Sequence, residues 1–372
     1  MTDTKTNAPA RMIFHVPLHI DPTLHSASQI RPVKLQKAFS DIGYTVDVIE
    51  GCAADRKRQI AAIKRNICNG VKYDFLYSES STMPTLLTES HHLPTHPFLD
   101  FPFFSFCKRN GIPIGLFYRD IHWCFINKNK DFKQRVAKYF YRYDLTRYSK
   151  LLDVLFLPSF EMLQHIPFSF TRKVEELPAG CELHPSNPHV FDGRLRLLYI
   201  GGIGGIYDMR TLFKAVAQTS EVSLTVCCRP DEWRAVTDIY EPLLSDNIHI
   251  VHKYGSGLDE LYAEADLFSM FFTNDYTKFA VPYKLFDTMG YSMPVFAPSD
   301  TWTGSFVKRN GVGVVCDNSV DDVRSMLTSL SRNPSLLTAF RDKMLSIAPS
   351  HTWQARARQV ADSLTEVNSY TH

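Results

Sequence analysis

Short apolar runs, rich in β-branched and aromatic residues, alternate with amphipathic stretches along the whole chain. That pattern predicts an α/β protein built on parallel sheets. The first run predicts a strand over 12–16. A polar loop, HIDPTLHSASQIRP, then leads into a helix over 32–42. Pro32 suits the first turn of that helix and Gly43 the residue just past its end. Strand 45–49, helix 55–68, strand 74–77, helix 98–110 and strand 114–117 follow, then helix 131–149 and strands 154–157 and 174–177.

The segment HPSNPHVFDGR, residues 184–194, is rich in Pro, Asn, Ser and Gly and is the best linker candidate. Beyond it the pattern restarts with strand 196–200, the tight loop GGIGG and helix 209–218. Strand 223–227, a helix from 230, strand 248–251, helix 258–263 and strand 267–270 come next. Helix 282–289, strand 295–297, helix 305–310 and strand 313–315 precede three closing helices over 320–332, 335–347 and 353–366. The chain thus divides into an N-terminal domain over 1–188, joined by a final helix in 350–372, and a C-terminal domain over 189–349. A length of 372 residues suits two such domains.

Composition narrows the function. The formal net charge is only +2, so no global field calls for nucleic acid as a partner. The 8 cysteines include no C-x-x-C pair, which argues against a zinc site or redox dithiol and suits a reducing cytosol. The start, MTDTKTNAPAR, carries no apolar signal region, and no apolar run approaches the ~20 residues needed to span a bilayer. A cytoplasmic protein that meets membranes only from their surface is expected.

The informative motifs fall just after strands, where open α/β sheets bind ligands. In VPYKLFDTMGYSMPVFA, residues 281–297, Pro282 can open a helix whose first N–H groups and dipole favour a diphosphate. Tyr283, Lys284 and Leu285 stand at that helix start. Asp287 follows, a carboxylate able to accept both hydroxyls of a ribose; the alternative is a solvated surface Asp. Gly202, Gly204 and Gly205 of GGIGG can let backbone N–H groups approach phosphate. GGIGG also invites a dinucleotide reading, but the third glycine of that fingerprint is absent.

The segment 281–297 resembles the nucleotide-sugar signature of retaining glycosyltransferases with the GT-B fold. In that family a carboxylate seven residues before a turn proline holds the donor ribose, and Asp287 stands seven before Pro294. The family's other glutamate falls on Phe279, so that contact is missing or supplied differently. LLYIGGIGGIYDMRTLFKAV, IHIVHKYGSGLDELYAEADLFSMFF and ELPAGCELHPSNP extend the likeness. The resemblance implies two Rossmann-like domains facing across a cleft. It also implies a base-contacting loop near Tyr254. The family's diphosphate-binding Arg and Lys fall on Gly202 and Tyr207, so both charges are absent; Arg229 and Lys284 are the candidate replacements. The family's His-Asp pair, near the transferred sugar, becomes Arg119-Asp120 in FYRDIHW, with His122 as fallback, so the resemblance makes these three the candidate catalytic residues.

On the acceptor side, Ser26 and Ser28 occupy the place of a Gly-rich loop, and Glu79 ends a strand; for each, plain structure or surface polarity is the alternative. The basic, aromatic stretch 127–150 can either meet an anionic membrane or form a solvated amphipathic helix. FLDFPFFSF, residues 98–106, is either a lipid contact or buried packing. The resemblance therefore implies transfer of a hexose-type sugar from a nucleotide-diphosphate sugar, a UDP-sugar first, to a glycan or lipid-linked hydroxyl. Anomeric retention is implied. No D-x-D motif is evident, so neither metal nor cofactor is expected. The alternatives are a GT-B epimerase or phosphorylase, or a catalytically silent partner of another transferase.

Overall fold

The computed structural model describes residues 10–21, 27–125, 132–185 and 190–369. The chain forms two compact units: Met1–Gly180 with Trp353–His372, and Cys181–Thr352. The division falls at 180/181 and 352/353 rather than at the expected 188/189 and 349/350. The reason is local: the Cys181 N–H donates to the His351 carbonyl, and the His184 N–H to Gly290, so the start of the supposed linker is bonded into the second unit. Residues 186–189 of that segment lie outside the described residues.

The first unit runs β1 (Arg11–His15), α1 (Ala27–Asp41), β2 (Thr45–Ile49), α2 (Ala53–Cys68) and β3 (Phe75–Glu79). It continues with α3 (Asp100–Arg109), β4 (Ile114–Phe117), α4 (Phe132–Leu151), β5 (Val154–Leu157), α5 (Phe160–Leu163) and β6 (Lys173–Glu176). The strands pair in parallel in the order β2-β1-β3-β4-β5-β6. Met12, Ile13 and Phe14, like Phe75, Leu76 and Tyr77, are buried without interruption. Continuous apolar strands are what a parallel sheet covered on both faces requires.

The second unit runs β7 (Leu195–Ile200), α6 (Arg210–Ala217), β8 (Val222–Cys227), α7 (Pro230–Tyr240), β9 (Ile248–Val251) and α8 (Gly257–Glu264). Then come β10 (Leu267–Ser269), α9 (Tyr283–Gly290), β11 (Val295–Pro298), α10 (Trp302–Asn310), β12 (Gly313–Cys316), α11 (Val320–Ser331) and α12 (Pro334–Ile347). Its parallel order, β12-β11-β10-β7-β8-β9, is the doubly wound Rossmann arrangement. Strand order reverses between β7 and β10, so the loops leaving these two strands flank the switch point, where such sheets bind ligands. Helix α13 (Trp353–Ser369) returns to the first unit and packs on α1, β3 and β4.

Two expectations need correction here. Helix α1 starts at Ala27, so Pro32 lies inside it and costs the ladder one N–H. Burial of Leu35, Ala38 and Phe39 on one face offsets that loss. Ser28 therefore sits in a helical turn and not in an acceptor loop, while Ser26 lies outside the described residues. The aromatic run at 98–106 is mostly core: Phe101, Phe103 and Phe104 are buried, and Phe98 alone of these stands out in solvent.

Candidate functional site

The second unit's site is built around the loop after β7. Tyr199, near the end of that strand, is fully buried and donates its hydroxyl to the Gly202 carbonyl at 2.5 Å. The Gly201 N–H extends the sheet ladder to Cys227 at 2.9 Å, with φ at +148°. Gly204 and Gly205 follow at φ +82° and +57°, a left-handed pair that side chains would strain. Their turn is closed by reciprocal bonds between Gly204 and Tyr207, at 3.2 and 2.9 Å. The Gly204 N–H is therefore committed to Tyr207 and not offered to a phosphate, which corrects that expectation. Gly202 and Gly205 remain on the loop, Gly202 half-buried beneath the Tyr207 ring and Gly205 exposed.

Lys284 comes up to this loop from the first turn of α9. A Cβ at Gly201 would stand 2.3 Å from its Nζ, so the absent side chain makes room for the amine. Nζ donates to the Tyr199 hydroxyl at 2.9 Å and lies 4.4, 4.6 and 5.4 Å from the ring centres of Tyr199, Tyr207 and Phe272. A chain of hydrogen bonds thus runs from Lys284 through Tyr199 to the Gly202 carbonyl. Burial lowers the Lys284 ammonium to about 7, and the nearby Glu232 carboxylate opposes that shift. Glu232, in the first turn of α7, was not anticipated: its Oε1 would lie 3.8 Å from a Cβ on Gly202. It also pairs with Arg229 at 3.6 Å. Arg229 itself is 60% exposed, so Lys284 is the cation inside the loop and Arg229 the one at its rim.

Helix α9 opens on Pro282 in an extended conformation with no side-chain cap, as the sequence suggested. Tyr283 and Lys284 are half-buried there. Leu285 is fully buried, and its N–H bonds to the Pro282 carbonyl at 3.2 Å, so it supports the helix from the core side and offers a ligand neither group. Asp287 lies one turn on and is exposed. Beside it stands an aromatic column in which Tyr262 stacks on Tyr291, and Tyr291 on His184, each at 3.9 Å. Burial raises the phenol pKa of both tyrosines; Asp259 adds to the shift at Tyr291, and the Asp287 charge adds to both. Tyr254, just after β9, is 60% exposed.

In the first unit the structure joins two expected residues and withdraws a third. Asp120 accepts the His122 N–H at 2.9 Å and lies 3.6 Å from His122 Nδ1, so these two form one half-exposed pair at the end of β4. Glu79 does not face solvent; it is 0% exposed. Arg31 and Arg119 donate to its two oxygens at 3.0 and 2.9 Å, and Tyr77 adds a third bond at 3.1 Å. The Arg31 guanidinium also stacks 3.6 Å from the Phe117 ring centre. A buried carboxylate survives only when its lone pairs are filled, and both arginines are used for that. Arg119, with its side chain 10% exposed, therefore backs Glu79. A second sealed network joins His15 to Ser78 at 2.8 Å and to Asp100 at 3.0 Å, while Arg56 donates to both Asp100 oxygens at 3.0 and 3.2 Å. Ser78, His15 and Asp100 are in order for a nucleophile relay, but all are buried, so the network is structural.

Helix α4 turns Tyr141 and Tyr148 inward and leaves Arg135, Val136, Tyr139, Arg142 and Lys150 exposed. Residues 127–131 of the expected membrane-facing stretch lie outside the described residues. Among the described residues no helix is long and apolar enough to cross a membrane, and no group of three His, Cys, Asp or Glu is placed to hold a metal ion.

No protein-family model matches the sequence, and no curated protein sequence does. Solved structures do. The chain is similar to the Anabaena HepE protein in complex with UDP, at 12% identity over 96% of this chain and 100% of that one, with a TM-score of 0.65. The same protein in complex with UDP-glucose gives a TM-score of 0.63. WaaG, a glycosyltransferase involved in lipopolysaccharide biosynthesis, aligns over 95% of this chain and 99% of its own at 14% identity and a TM-score of 0.57. A glycosyltransferase from Rickettsia africae aligns over 96% and 98% at 13% identity and a TM-score of 0.62. At such identities the likeness establishes the fold, which is GT-B.

Proposed function

We propose that this protein is a glycosyltransferase. It moves a hexose-type sugar from a nucleotide-diphosphate sugar to a hydroxyl of a glycan or lipid-linked acceptor, with retention and without a metal. The observation that carries the reading is the position of Lys284. An amine held 2.9 Å from Tyr199, against the glycine loop and at the start of α9, is where a diphosphate would need a cation. It stands in for the Arg and Lys that the loop lacks. HepE, of the same fold, has been seen with UDP and with UDP-glucose, which makes a UDP-sugar the first donor to test.

In this reading Lys284 and the N–H groups of the loop and of α9 stabilise the charge that grows on the departing diphosphate. Arg229 adds a rim charge, Asp287 grips the ribose diol, and Tyr254 meets the base. The Asp120–His122 pair serves the acceptor side, and Arg119 positions the strand end that carries it. The exposed Arg135, Tyr139 and Arg142 of α4 meet an anionic membrane at the cytoplasmic surface, which suits a lipid-linked acceptor in surface-polysaccharide synthesis.

The test is a thermal-shift screen against UDP-, GDP-, CMP- and ADP-linked sugars, since a bound ligand raises the melting temperature by mass action. Asp287→Ala should weaken the donor that binds by about 10–100-fold, from loss of ~1.5–3 kcal/mol of charged hydrogen bonding, with the fold intact. Equal calorimetric affinity in the variant would remove Asp287 from the site. Donor binding without transfer to any acceptor would favour a catalytically silent partner instead.

A further inference from the structure

We propose that the arrival of a nucleotide-diphosphate sugar at the glycine loop is coupled to the uptake of one proton by Lys284 Nζ. The inference rests on the donor-site reading above and adds to it how the site is charged. An ammonium has three N–H donors. Around Lys284 the described residues supply one acceptor, the Tyr199 hydroxyl, and the faces of three aromatic rings. Among the described residues no carboxylate pairs with Nζ directly. Glu232 acts on it from a distance and is shared with Arg229. The rings attract a cation, yet the loss of water outweighs them, and the group titrates near about 7.

The surrounding groups do not compete for that proton. Burial lifts the phenols of Tyr199 and Tyr207 above their usual range, and the Cys228 thiol to about 11, so all three stay neutral through pH 8. Asp287, three residues further along α9, lies on its exposed face. An anionic diphosphate in contact with Nζ supplies the missing acceptors and an opposite charge. Such a neighbour raises proton affinity about ten- to a thousandfold. The proton comes from solvent to the Nζ lone pair, and it returns when the nucleotide leaves. The free site thus carries less positive charge than its residues suggest, and it becomes fully cationic only around its ligand.

The experiment is titration calorimetry at pH 8.0 in HEPES and in Tris, which differ in ionisation enthalpy. UDP-glucose, GDP-mannose and ADP-glucose are the probes, because their diphosphate diesters exchange no proton near that pH. The expected result is uptake of about 0.4–0.9 proton per donor bound, from a group near 7 shifted by the factor above. Lys284→Gln should bind at least about tenfold more weakly and take up no proton. A second measurement needs no variant. The wild-type Kd should rise as pH goes from 7 to 9, by up to about tenfold per pH unit. Binding with the same apparent enthalpy in both buffers and a flat Kd would overturn the proposal while leaving the donor site standing. Uptake that persists in Lys284→Gln would also overturn it. Failure of all three probes to bind would remove the donor site and this proposal together.

Discussion

Asp144 offers a direct test of how the first unit handles buried charge. It lies in α4 and is 3% exposed. One oxygen accepts the Thr85 N–H at 2.7 Å, and Oδ1 has no partner among the described residues. Burial pushes its carboxyl up to about 7. In the unfolded chain the same group titrates near ~3.9. Between those values the folded state holds a proton that the unfolded state has released, so stability falls as pH rises from about 4 to 7 and stays low above it. Three powers of ten at 1.36 kcal/mol each set an upper limit of about 4 kcal/mol; ~2–4 kcal/mol is the working range.

Asp144→Asn keeps an oxygen for Thr85 and cannot ionise, but it buries an amide whose NH2 lacks a partner, at ~1–3 kcal/mol. The variant should therefore be less stable than wild type at pH 5 and level with it or more stable at pH 8. The difference between the two proteins should swing by ~2–3 kcal/mol across that interval, because two of the three pH units of the shift lie above pH 5. Urea unfolding at both pH values reads this directly. With slopes of ~1–3 kcal/mol per molar, the midpoint difference moves by roughly 1 M. Trp123, stacked on Tyr141 one turn before Asp144, supplies a local fluorescence signal. A midpoint difference that is the same at pH 5 and pH 8 would refute the reasoning.

Three further outcomes are expected. Gly201→Ala puts a methyl where Lys284 Nζ stands, at a backbone φ that disfavours it, and should weaken donor binding about tenfold or more in calorimetry with a smaller loss of stability. Arg31→Ala leaves the Glu79 carboxylate with one arginine in place of two and should cost ~3–5 kcal/mol in chemical denaturation. Arg135→Glu with Arg142→Glu should abolish co-sedimentation with vesicles containing anionic lipid. Wild-type binding should weaken as salt rises, and binding indifferent to both salt and lipid charge would remove the membrane role of α4.

The alternation of apolar runs and helical stretches was enough to place both sheets, because parallel strands buried on both faces leave an unmistakable pattern. The start of α9 was legible too, since Pro282 marks it, with Lys284 in its first turn and Asp287 one turn on. What the sequence hid are the contacts made by distant residues. Glu79 looks like a loop carboxylate until Arg31 and Arg119 close on it from other elements. Lys284 could be named as a cation, but nothing local tells that Tyr199, 85 residues away, accepts its hydrogen bond. GGIGG reads as a run of spare amides because the pairing of Gly204 with Tyr207 depends on turn geometry. Pro32 misled for a related reason: proline suits a first turn, and only the burial of α1 shows that the helix began before it.

The first unit is assembled from two separated stretches of chain, and this sets an order on its formation during synthesis. Everything in Cys181–Thr352 leaves the ribosome before Trp353 does, so the second Rossmann sheet can close while the first still lacks α13. Until that helix arrives, Gly115 of β4 is left without the leucine, Leu364, that packs against it, and β6 without the Gln359 and Ser363 side chains that bond to it. The nascent N-terminal sheet therefore waits with an uncovered apolar patch, and the docking of Trp353–Ser369 is the step that completes the first unit's core.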